Sequence, residues 1–328
     1  MRFLAHQTRA RRQSWLLLVL FVGLTAGLIA AFNALAVLAY WGFGIAGFTA
    51  FHVPKGLWVG TSAGLASIIV GAALFEYFKL RSEGAIAIAL QLGGTLLSSS
   101  RAGNLAERQL LNVVEEAAIA AHIKPPLVYL LRDEPSINAF AAGADGSYFV
   151  VGVTQGALKL LSREALQGVI AHEISHIVEG DATLNMRLAS FNYGLTAVYS
   201  VGCVMAKSSD YQPSGRLDLF AYAFQGLGYL GVLAGRVLQA AVSREREFLA
   251  DAGAVKLTRN PMGLVSALRK IGAQAHEDRS AAALKSPYSE TFGYAFFGTA
   301  YAAGETESRW LDTHPPIKER LRRLITSA

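Results

Sequence analysis

The sequence predicts an α+β protein that is mostly α-helical, with a small β-sheet and about four transmembrane helices. Apolar residues make up 52% of the chain and charged residues only 16%, well below the roughly 25% that is usual for a soluble domain. The charges are missing from long continuous blocks, as in membrane segments. A polar region with helical and strand periodicity begins near Arg101.

Net charge and cysteine content exclude several classes of function. The formal net charge is +6, but the basic residues form no stripe interleaved with aromatic residues, so we expect no nucleic-acid partner. Cys203 is the only cysteine and lies within an apolar block. A disulfide framework within the chain and a cysteine-based zinc site are therefore excluded.

The first apolar block, residues 15–41, contains 27 residues without a charge, more than the roughly 20 that span a bilayer. Four arginines and no acidic residue precede it. A cleavable signal peptide is the alternative, because it also combines a basic start with an apolar run. The length of the block and a second block at residues 57–75 favour a retained membrane region with two transmembrane helices over residues 1–83.

Basic residues around these two blocks predict their orientation. Lys79 and Arg81 follow the second block, whereas Lys55 is the only Lys or Arg between the blocks. The positive-inside rule therefore places the N-terminus and the residues after Arg81 in the cytoplasm.

Two later apolar stretches, residues 188–206 and 219–235, are rich in small residues, as in helices that pack closely within a bilayer. The second contains Gln225 and is followed by Arg236. Both stretches are of marginal length, so a buried hairpin of core helices in a soluble domain is the alternative. We expect a membrane hairpin at about residues 188–242, which interrupts a second domain over residues 84–328.

The polar region contains several elements with local signals. Residues 105–123 carry apolar positions at helical spacing, residues 127–131 (LVYLL) are typical of a short buried strand, and residues 148–153 are typical of a second strand. Ser162 is a good N-cap for the next helix. Residues 272–310 have no assignable pattern, and they match no motif discussed below.

The helix after Ser162 carries His172, Glu173 and His176 in the segment HEISH. Histidines four residues apart project from one helical face and can share a metal ion. Zinc suits imidazole ligands at about 2.0–2.1 Å, and Glu173 is placed to take a proton from a water that attacks a carbonyl. Two unrelated histidines are the alternative, but the apolar neighbours would then bury these polar groups without partners.

A catalytic zinc ion needs a third protein ligand. Glu247 and Asp251 are four residues apart on a predicted helix, in the segment SREREFLAD, and would share a face. One can bind the metal while the other accepts a hydrogen bond from a ligating histidine. A solvated face of alternating Arg and Glu is the alternative; it explains Glu245 better than Glu247, which apolar residues follow.

The two later apolar stretches also bear on this site. The histidine helix and Glu247 must meet on one side of the membrane, and both stretches lie between them. One crossing out and one crossing back meets this requirement, whereas a single crossing does not.

These motifs together resemble the HtpX-like membrane zinc metallopeptidases, which are related to the CAAX prenyl proteases. The resemblance covers most of the chain, from the N-terminal apolar blocks to the C-terminus. It is carried by HEISH with Glu179, Gly180 and Asp181, by SREREFLAD, by SINAFA at residues 136–141, and by His314 with two prolines and Arg320.

The resemblance implies a zincin-like metalloprotease domain with one Zn²⁺ per chain. The implied roles are metal ligand for His172, His176 and Glu247, general base for Glu173, and support of a ligand for Asp251. The linker at residues 207–218 is short, so substrate preference is not carried over from the family.

The resemblance also suggests a substrate-binding edge strand formed by Asn138, Ala139, Phe140 and Ala141. An ordinary turn into a strand is the alternative for this segment. His314 and Arg320 are candidates to stabilise the oxyanion of the reaction. Capping of the final helix, residues 317–325, is the alternative role of His314.

We therefore expect a membrane-embedded zinc metalloendopeptidase that hydrolyses membrane or misfolded proteins at the cytoplasmic face, in membrane protein quality control. The expected partners are protein or peptide substrates and the lipid bilayer, and the expected location is a bacterial inner membrane. The oligomeric state does not follow from the sequence.

Three alternatives to this function differ in the site or the substrate. An intramembrane protease is disfavoured by the charged residues on both sides of HEISH, because charges within a bilayer are costly. A catalytically silent scaffold is disfavoured because every expected residue is present. A CAAX-type processing protease is a narrower version of the main hypothesis, and nothing in the sequence selects for a prenylated substrate.

Overall fold

The protein is mostly helical with one small sheet, as predicted. The computed structural model describes residues 2–42, 54–100, 102–143, 148–209, 216–277, 285, 296–297 and 314–326. The helices in these residues are α1 (Arg2–Gly42), α2 (Lys55–Gln91), α3 (Leu105–Ala121), α4 (Gln155–Leu160), α5 (Arg163–Glu179), α6 (Asp181–Ser209), α7 (Arg216–Thr258), α8 (Pro261–Glu277) and α9 (Ile317–Thr326). The strands are β1 (Gly94–Leu97), β2 (Leu127–Leu131), β3 (Ala139–Ala142) and β4 (Val150–Thr154).

The chain divides into two compact units. A helical unit comprises residues 1–80 and 186–239, and a sheet-containing unit comprises residues 81–185 and 240–328. Most of the segment at residues 272–310, which had no assignable pattern, lies outside the described residues; its first part is the end of α8.

Three helices of the described chain are long and apolar enough to cross a membrane, at Val19–Leu38, Lys55–Ser82 and Asp181–Lys207. They contain three of the four apolar segments expected from the sequence. The fourth, residues 219–235, is helical as the first part of α7 but is not among these three.

Close helix contacts organise the helical unit. A Cβ at Gly194 of α6 would lie 2.4 Å from the Ile69 carbonyl oxygen of α2, and a Cβ at Gly202 would lie 2.5 Å from the Gln225 backbone nitrogen of α7. Asn33 of α1 donates to the Ser62 hydroxyl of α2 at 2.8 Å. Small residues and interhelical hydrogen bonds of this kind stabilise helix packing within bilayers.

The sheet-containing unit is built on the strand order β1-β2-β4-β3, in which β2 and β4 are parallel and the outer pairs are antiparallel. The predicted strand at residues 127–131 is β2, and the second predicted strand is β4, two residues later than its expected start. Because β3 pairs with β4 alone within this sheet, it is an edge strand.

Helix α5 lies at the centre of this unit and packs against α3, α8 and β3. Ser162 caps its N-terminus by accepting the Ala165 N–H, as expected, and Gly180 ends it with a φ of +75°. A Cβ at Gly168 would lie 2.5 Å from the Leu264 backbone nitrogen, so only a glycine allows α8 to approach so closely. This packing fixes the helix that carries both histidines.

Candidate metal centre

Helix α5 presents His172, Glu173 and His176 from within the core of the unit. His172 is fully buried and Glu173 is 1% exposed, because the residues around them on α5 are apolar and pack against other core residues. Such burial of polar groups is unfavourable unless they find partners or bind an ion. The contacts of these buried side chains with other polar residues therefore determine the geometry of the site.

Glu247 of α7 joins the two histidines. The Nε2 atoms of His172 and His176 are 3.0 Å apart, and the Glu247 carboxylate oxygens lie 3.6 Å from the first and 3.5 Å from the second. These three residues form a group that could hold a metal ion. The structure thus brings together the three residues that the resemblance implied as metal ligands.

The spacing of these atoms fits a metal ion. Two ligand atoms that are each about 2.0–2.1 Å from a tetrahedral ion lie about 3.3–3.4 Å apart. The two histidine nitrogens are 3.0 Å apart. Each lies near this value from a different Glu247 oxygen, 3.6 Å from Oε2 for His172 and 3.5 Å from Oε1 for His176. Two imidazoles and one carboxylate also form a donor set that catalytic metal sites use, with a position left open for water or substrate.

A buried carboxylate contacts the other nitrogen of each histidine. His172 Nδ1 lies 3.0 Å from Asp251 Oδ1, as expected, and His176 Nδ1 lies 2.7 Å from Asp181 Oδ2. Such contacts fix the tautomer and the orientation of a ligating ring. No role was expected for Asp181, although it belongs to the motif that follows HEISH in the sequence.

Two buried arginines contact these carboxylates. Arg320 donates to both oxygens of Asp251, at 2.9 and 2.7 Å, and lies 2.9 Å from Glu247 Oε2. Arg246 forms an ion pair with Asp181 and donates to the Glu179 carbonyl at 2.9 Å. Arg320 was expected as an oxyanion donor, but here two carboxylates engage its guanidinium. Arg246 was not identified from the sequence.

His314 contacts the same oxygen of Glu247 as His176 does. Its Nδ1 is 3.2 Å from Glu247 Oε1. Its Nε2 is buried and has no hydrogen-bond partner among the described residues. His314 therefore contacts the candidate ligand set and keeps one nitrogen available for another group.

Burial and neighbouring charges shift the ionisation of the site. Burial raises the pKa of Glu173 to about 8, against the charges of His176 and Arg320. Burial also lowers the pKa of His172 to about 4, which favours the neutral imidazole that binds metals. Burial opposes the charge on Glu247, but His314 and Arg320 hold the pKa of this carboxyl well below its usual range.

The edge strand β3 borders the site. Asn138 precedes it, and Ala139, Phe140 and Ala141 belong to it. Asn138 directs its carbonyl to Thr154 N–H of the neighbouring strand, so alternation turns the backbone groups of Ala139 and Ala141 outward. Ala141 lines a cleft together with Glu173 and His176.

Two aromatic residues lie along the outer side of β3. Phe297 N–H donates to the Ala139 carbonyl at 2.8 Å, and Phe296 forms a bridge with Phe140. The Phe297 ring is also 4.7 Å from the ring of His172. Sequence analysis did not identify these two residues, because they lie in the segment without an assignable pattern.

Comparisons with known proteins relate the chain to a family of peptidases. The model of peptidase family M48 matches residues 104–328. A protein described as Protease HtpX homolog from Ligilactobacillus salivarius is 34% identical over 284 residues, covering 78% of this chain and 90% of the relative. One from Streptococcus thermophilus is 32% identical over 340 residues, covering 96% and 97%. The crystal structure of S. mikatae Ste24p aligns with 94% of this chain and 66% of that chain, at 14% identity and a TM-score of 0.47.

The match of the family model includes every residue of the candidate centre. The predicted resemblance to HtpX-like peptidases is confirmed, and with it a metal-dependent hydrolase that acts on peptides or proteins. Three helices of the described residues are long and apolar enough to cross a membrane, so the lipid bilayer is also a partner of the chain. The chain therefore belongs to peptidase family M48 and is an integral-membrane metallopeptidase.

Proposed function

We propose that the chain is a zinc-dependent endopeptidase whose metal is held by His172, His176 and Glu247. The observation that carries this proposal is the convergence of these ligand atoms beside Glu173, whose two carboxylate oxygens are buried without hydrogen-bond partners among the described residues. When bound, zinc supplies an activated water and polarises the scissile carbonyl. Two imidazoles and one carboxylate with an open position are a ligand set that catalytic zinc sites in peptidases use.

Glu173 is the general base in this proposal. Its carboxylate takes a proton from the attacking water and passes it to the leaving amine. A base works best when its pKa is close to the operating pH, and burial raises the pKa of Glu173 to about 8. A divalent cation beside the carboxylate favours its ionised form.

His314 and Arg320 take different roles. His314 Nε2 is an unpartnered nitrogen beside the ligand set, and Nδ1 of the same ring faces Glu247. When both ring nitrogens carry a proton, Nε2 is placed to donate to the oxyanion as negative charge develops there. Arg320 is instead a positioning residue, because its guanidinium holds Asp251 and Glu247. Asp251 in turn orients His172.

The substrate peptide is proposed to pair with the outer edge of β3. The backbone groups of Ala141 face outward beside Glu173, so a peptide strand bonded to them would pass the catalytic carboxylate. The backbone N–H of Phe297 already donates to the Ala139 carbonyl. A peptide that pairs with this edge therefore shares it with Phe296 and Phe297 or displaces them.

Ala141→Pro removes one outward N–H from this edge and is expected to lower kcat/KM by up to about tenfold, the value of one hydrogen bond of about 1.4 kcal/mol. Proline is tolerated on edge strands where the N–H faces away from the sheet. Ala142→Pro is the matched control, because its N–H faces β4 and its loss should lower the unfolding temperature instead. An Ala141→Pro protein with wild-type kcat/KM and zinc content would contradict pairing at this position.

Residues 1–83 are proposed to anchor the chain, and residues 84–328 to form the peptidase domain with a membrane hairpin at about 188–242. His176 and Glu247 lie in one unit, so the chain between them crosses the bilayer an even number of times. Since α6 is apolar enough to cross, residues 219–235 of α7 provide the return crossing. The peptidase domain then faces the cytoplasm of a bacterial cell, at the inner membrane.

Cysteine labelling tests this orientation. In a Cys203→Ser background, Lys159→Cys is expected to react with a membrane-impermeant maleimide only in inside-out vesicles, because Lys159 is exposed in the peptidase domain. Lys55→Cys, at the first residue of the second membrane helix, is expected to react only from the outside of intact cells. The opposite pattern would reverse the proposed topology.

The proposed substrates are membrane or misfolded proteins, in membrane protein quality control, because the catalytic domain is tethered to the bilayer and an edge strand recognises backbone without much side-chain selectivity. The experiment compares cleavage of casein, a membrane protein in proteoliposomes and a stably folded soluble protein by the detergent-purified or co-reconstituted chain. The first two are expected to be cleaved, a chelator to stop cleavage, and zinc to restore it. Activity that persists without metal would contradict the proposed mechanism.

A further inference from the structure

The two ligand histidines have matching surroundings. His172 contacts Asp251, which contacts buried Arg320. His176 contacts Asp181, which contacts buried Arg246. The first histidine–aspartate–arginine series contains residues to which the family resemblance already gives roles. The second contains two residues, Asp181 and Arg246, to which the proposed mechanism gives no role.

We propose that Asp181 and Arg246 are a positioning pair that holds His176 in the orientation required for metal binding. The inference rests on the proposed function, in which His176 is a metal ligand. The contact between His176 Nδ1 and Asp181 Oδ2, at 2.7 Å, directs Nε2 of the same ring toward Glu247. A carboxylate on the outer nitrogen of a ligating histidine fixes the tautomer and raises the basicity of the ligand.

Arg246 connects the two helices that supply the ligands. It is the neighbour of Glu247 on α7, and its Nη2 donates to the carbonyl of Glu179, the last residue of α5, at 2.9 Å. Its other contact is Asp181, two residues further along the chain. One side chain therefore holds the end of the histidine helix against the helix that carries Glu247.

Burial distinguishes this pair from a surface ion pair. Asp181 is 2% exposed and Arg246 is 5% exposed. Buried ion pairs of this kind are weak contributors to stability, because desolvation of both charges opposes their attraction. A role in fixing the geometry of the site accounts for charged residues at these positions, since Arg246 pairs with Asp181 and also donates to the end of α5.

The test measures metal binding by the full chain in detergent, independently of activity. Zinc affinity is determined by competition with a chromophoric chelator, and the absorption spectrum of the Co²⁺-loaded protein reports ligand geometry. Asp181→Asn and Arg246→Gln are each expected to weaken zinc binding by about 10- to 100-fold, the usual effect of removing such partners, and to alter the Co²⁺ spectrum. Arg246→Lys keeps the charge and is expected to recover part of the affinity.

Arg132→Gln is the matched control, because Arg132 pairs with buried Glu107 of α3 at 2.8 Å in the same unit. It is expected to lower the unfolding temperature of the metal-free protein and to leave zinc affinity unchanged. Arg246 and Asp181 variants that lose stability but keep wild-type affinity and an unchanged Co²⁺ spectrum would overturn the proposal. If Arg246→Gln does not fold, the nearly isosteric Asp181→Asn decides the question by the same criteria.

The same experiment separates this inference from the proposed function. His176→Ala is expected to lose zinc at concentrations at which wild type is saturated. If His176→Ala binds zinc as tightly as wild type, the ligand assignment itself is wrong. If only the Asp181 and Arg246 variants retain wild-type binding, the ligand set stands and the positioning pair is excluded.

Discussion

Glu173→Gln is expected to lower kcat by about 10²- to 10⁴-fold, the usual contribution of a general base, while the protein keeps its zinc. The amide has nearly the same shape as the carboxylate but cannot take a proton from the attacking water. Glu173 is 1% exposed and its oxygens have no partner among the described residues. The Ala141 backbone N–H favours the carboxylate form of Glu173, and the amide oxygen of the variant can still accept from this N–H.

The effect is measured as casein cleavage by wild-type and variant protein at equal zinc content. Glu164→Gln is the matched control, because Glu164 lies on the same helix with an exposed side chain. The control is expected to cleave at the wild-type rate. A Glu173→Gln protein that retains zinc and cleaves within a few-fold of the control would exclude Glu173 as the base.

His314→Ala is expected to lower kcat by about 10²- to 10³-fold, the usual loss when one oxyanion donor is removed. The reason is the position of Nε2, which is buried and unpartnered beside the ligand set. KM is expected to change little, because the donor acts mainly as charge develops in the transition state.

Zinc content separates this role from a supporting one. His314 Nδ1 also lies 3.2 Å from Glu247 Oε1, so a residue that only positions Glu247 would lower metal affinity on removal. His276→Ala, at the exposed end of α8, is the control for loss of an imidazole. Loss of zinc from His314→Ala, with activity restored by excess zinc, would contradict the oxyanion role.

Local sequence signals predicted much of the fold because they depend on neighbouring residues. Each of three such signals depends on only a few neighbouring residues: the HEISH segment, the Ser162 cap and the LVYLL strand. All three lie at or near their expected positions in the structure. Helix α7 differs. Its apolar part and the SREREFLAD segment looked separate in the sequence, yet Arg216–Thr258 is one helix of 43 residues.

Pairings between distant residues could not be predicted in the same way. Arg320 contacts Asp251 69 positions earlier, and Arg246 contacts the end of α5 67 positions earlier. Charge type and spacing do not reveal which acid each arginine meets in three dimensions. For the same reason, sequence analysis assigned Arg320 to the oxyanion and gave Arg246 no role.

The central claim is that His172, His176 and Glu247 hold a catalytic zinc ion. The most direct measurement is zinc content together with X-ray absorption at the zinc edge, on wild type and on Glu247→Gln. We expect about one zinc per wild-type chain, with only nitrogen and oxygen neighbours at about 2.0–2.1 Å, and a lower zinc content in Glu247→Gln. Wild-type protein without zinc after supplementation, or an absorption spectrum and zinc content that Glu247→Gln leaves unchanged, would contradict the claim.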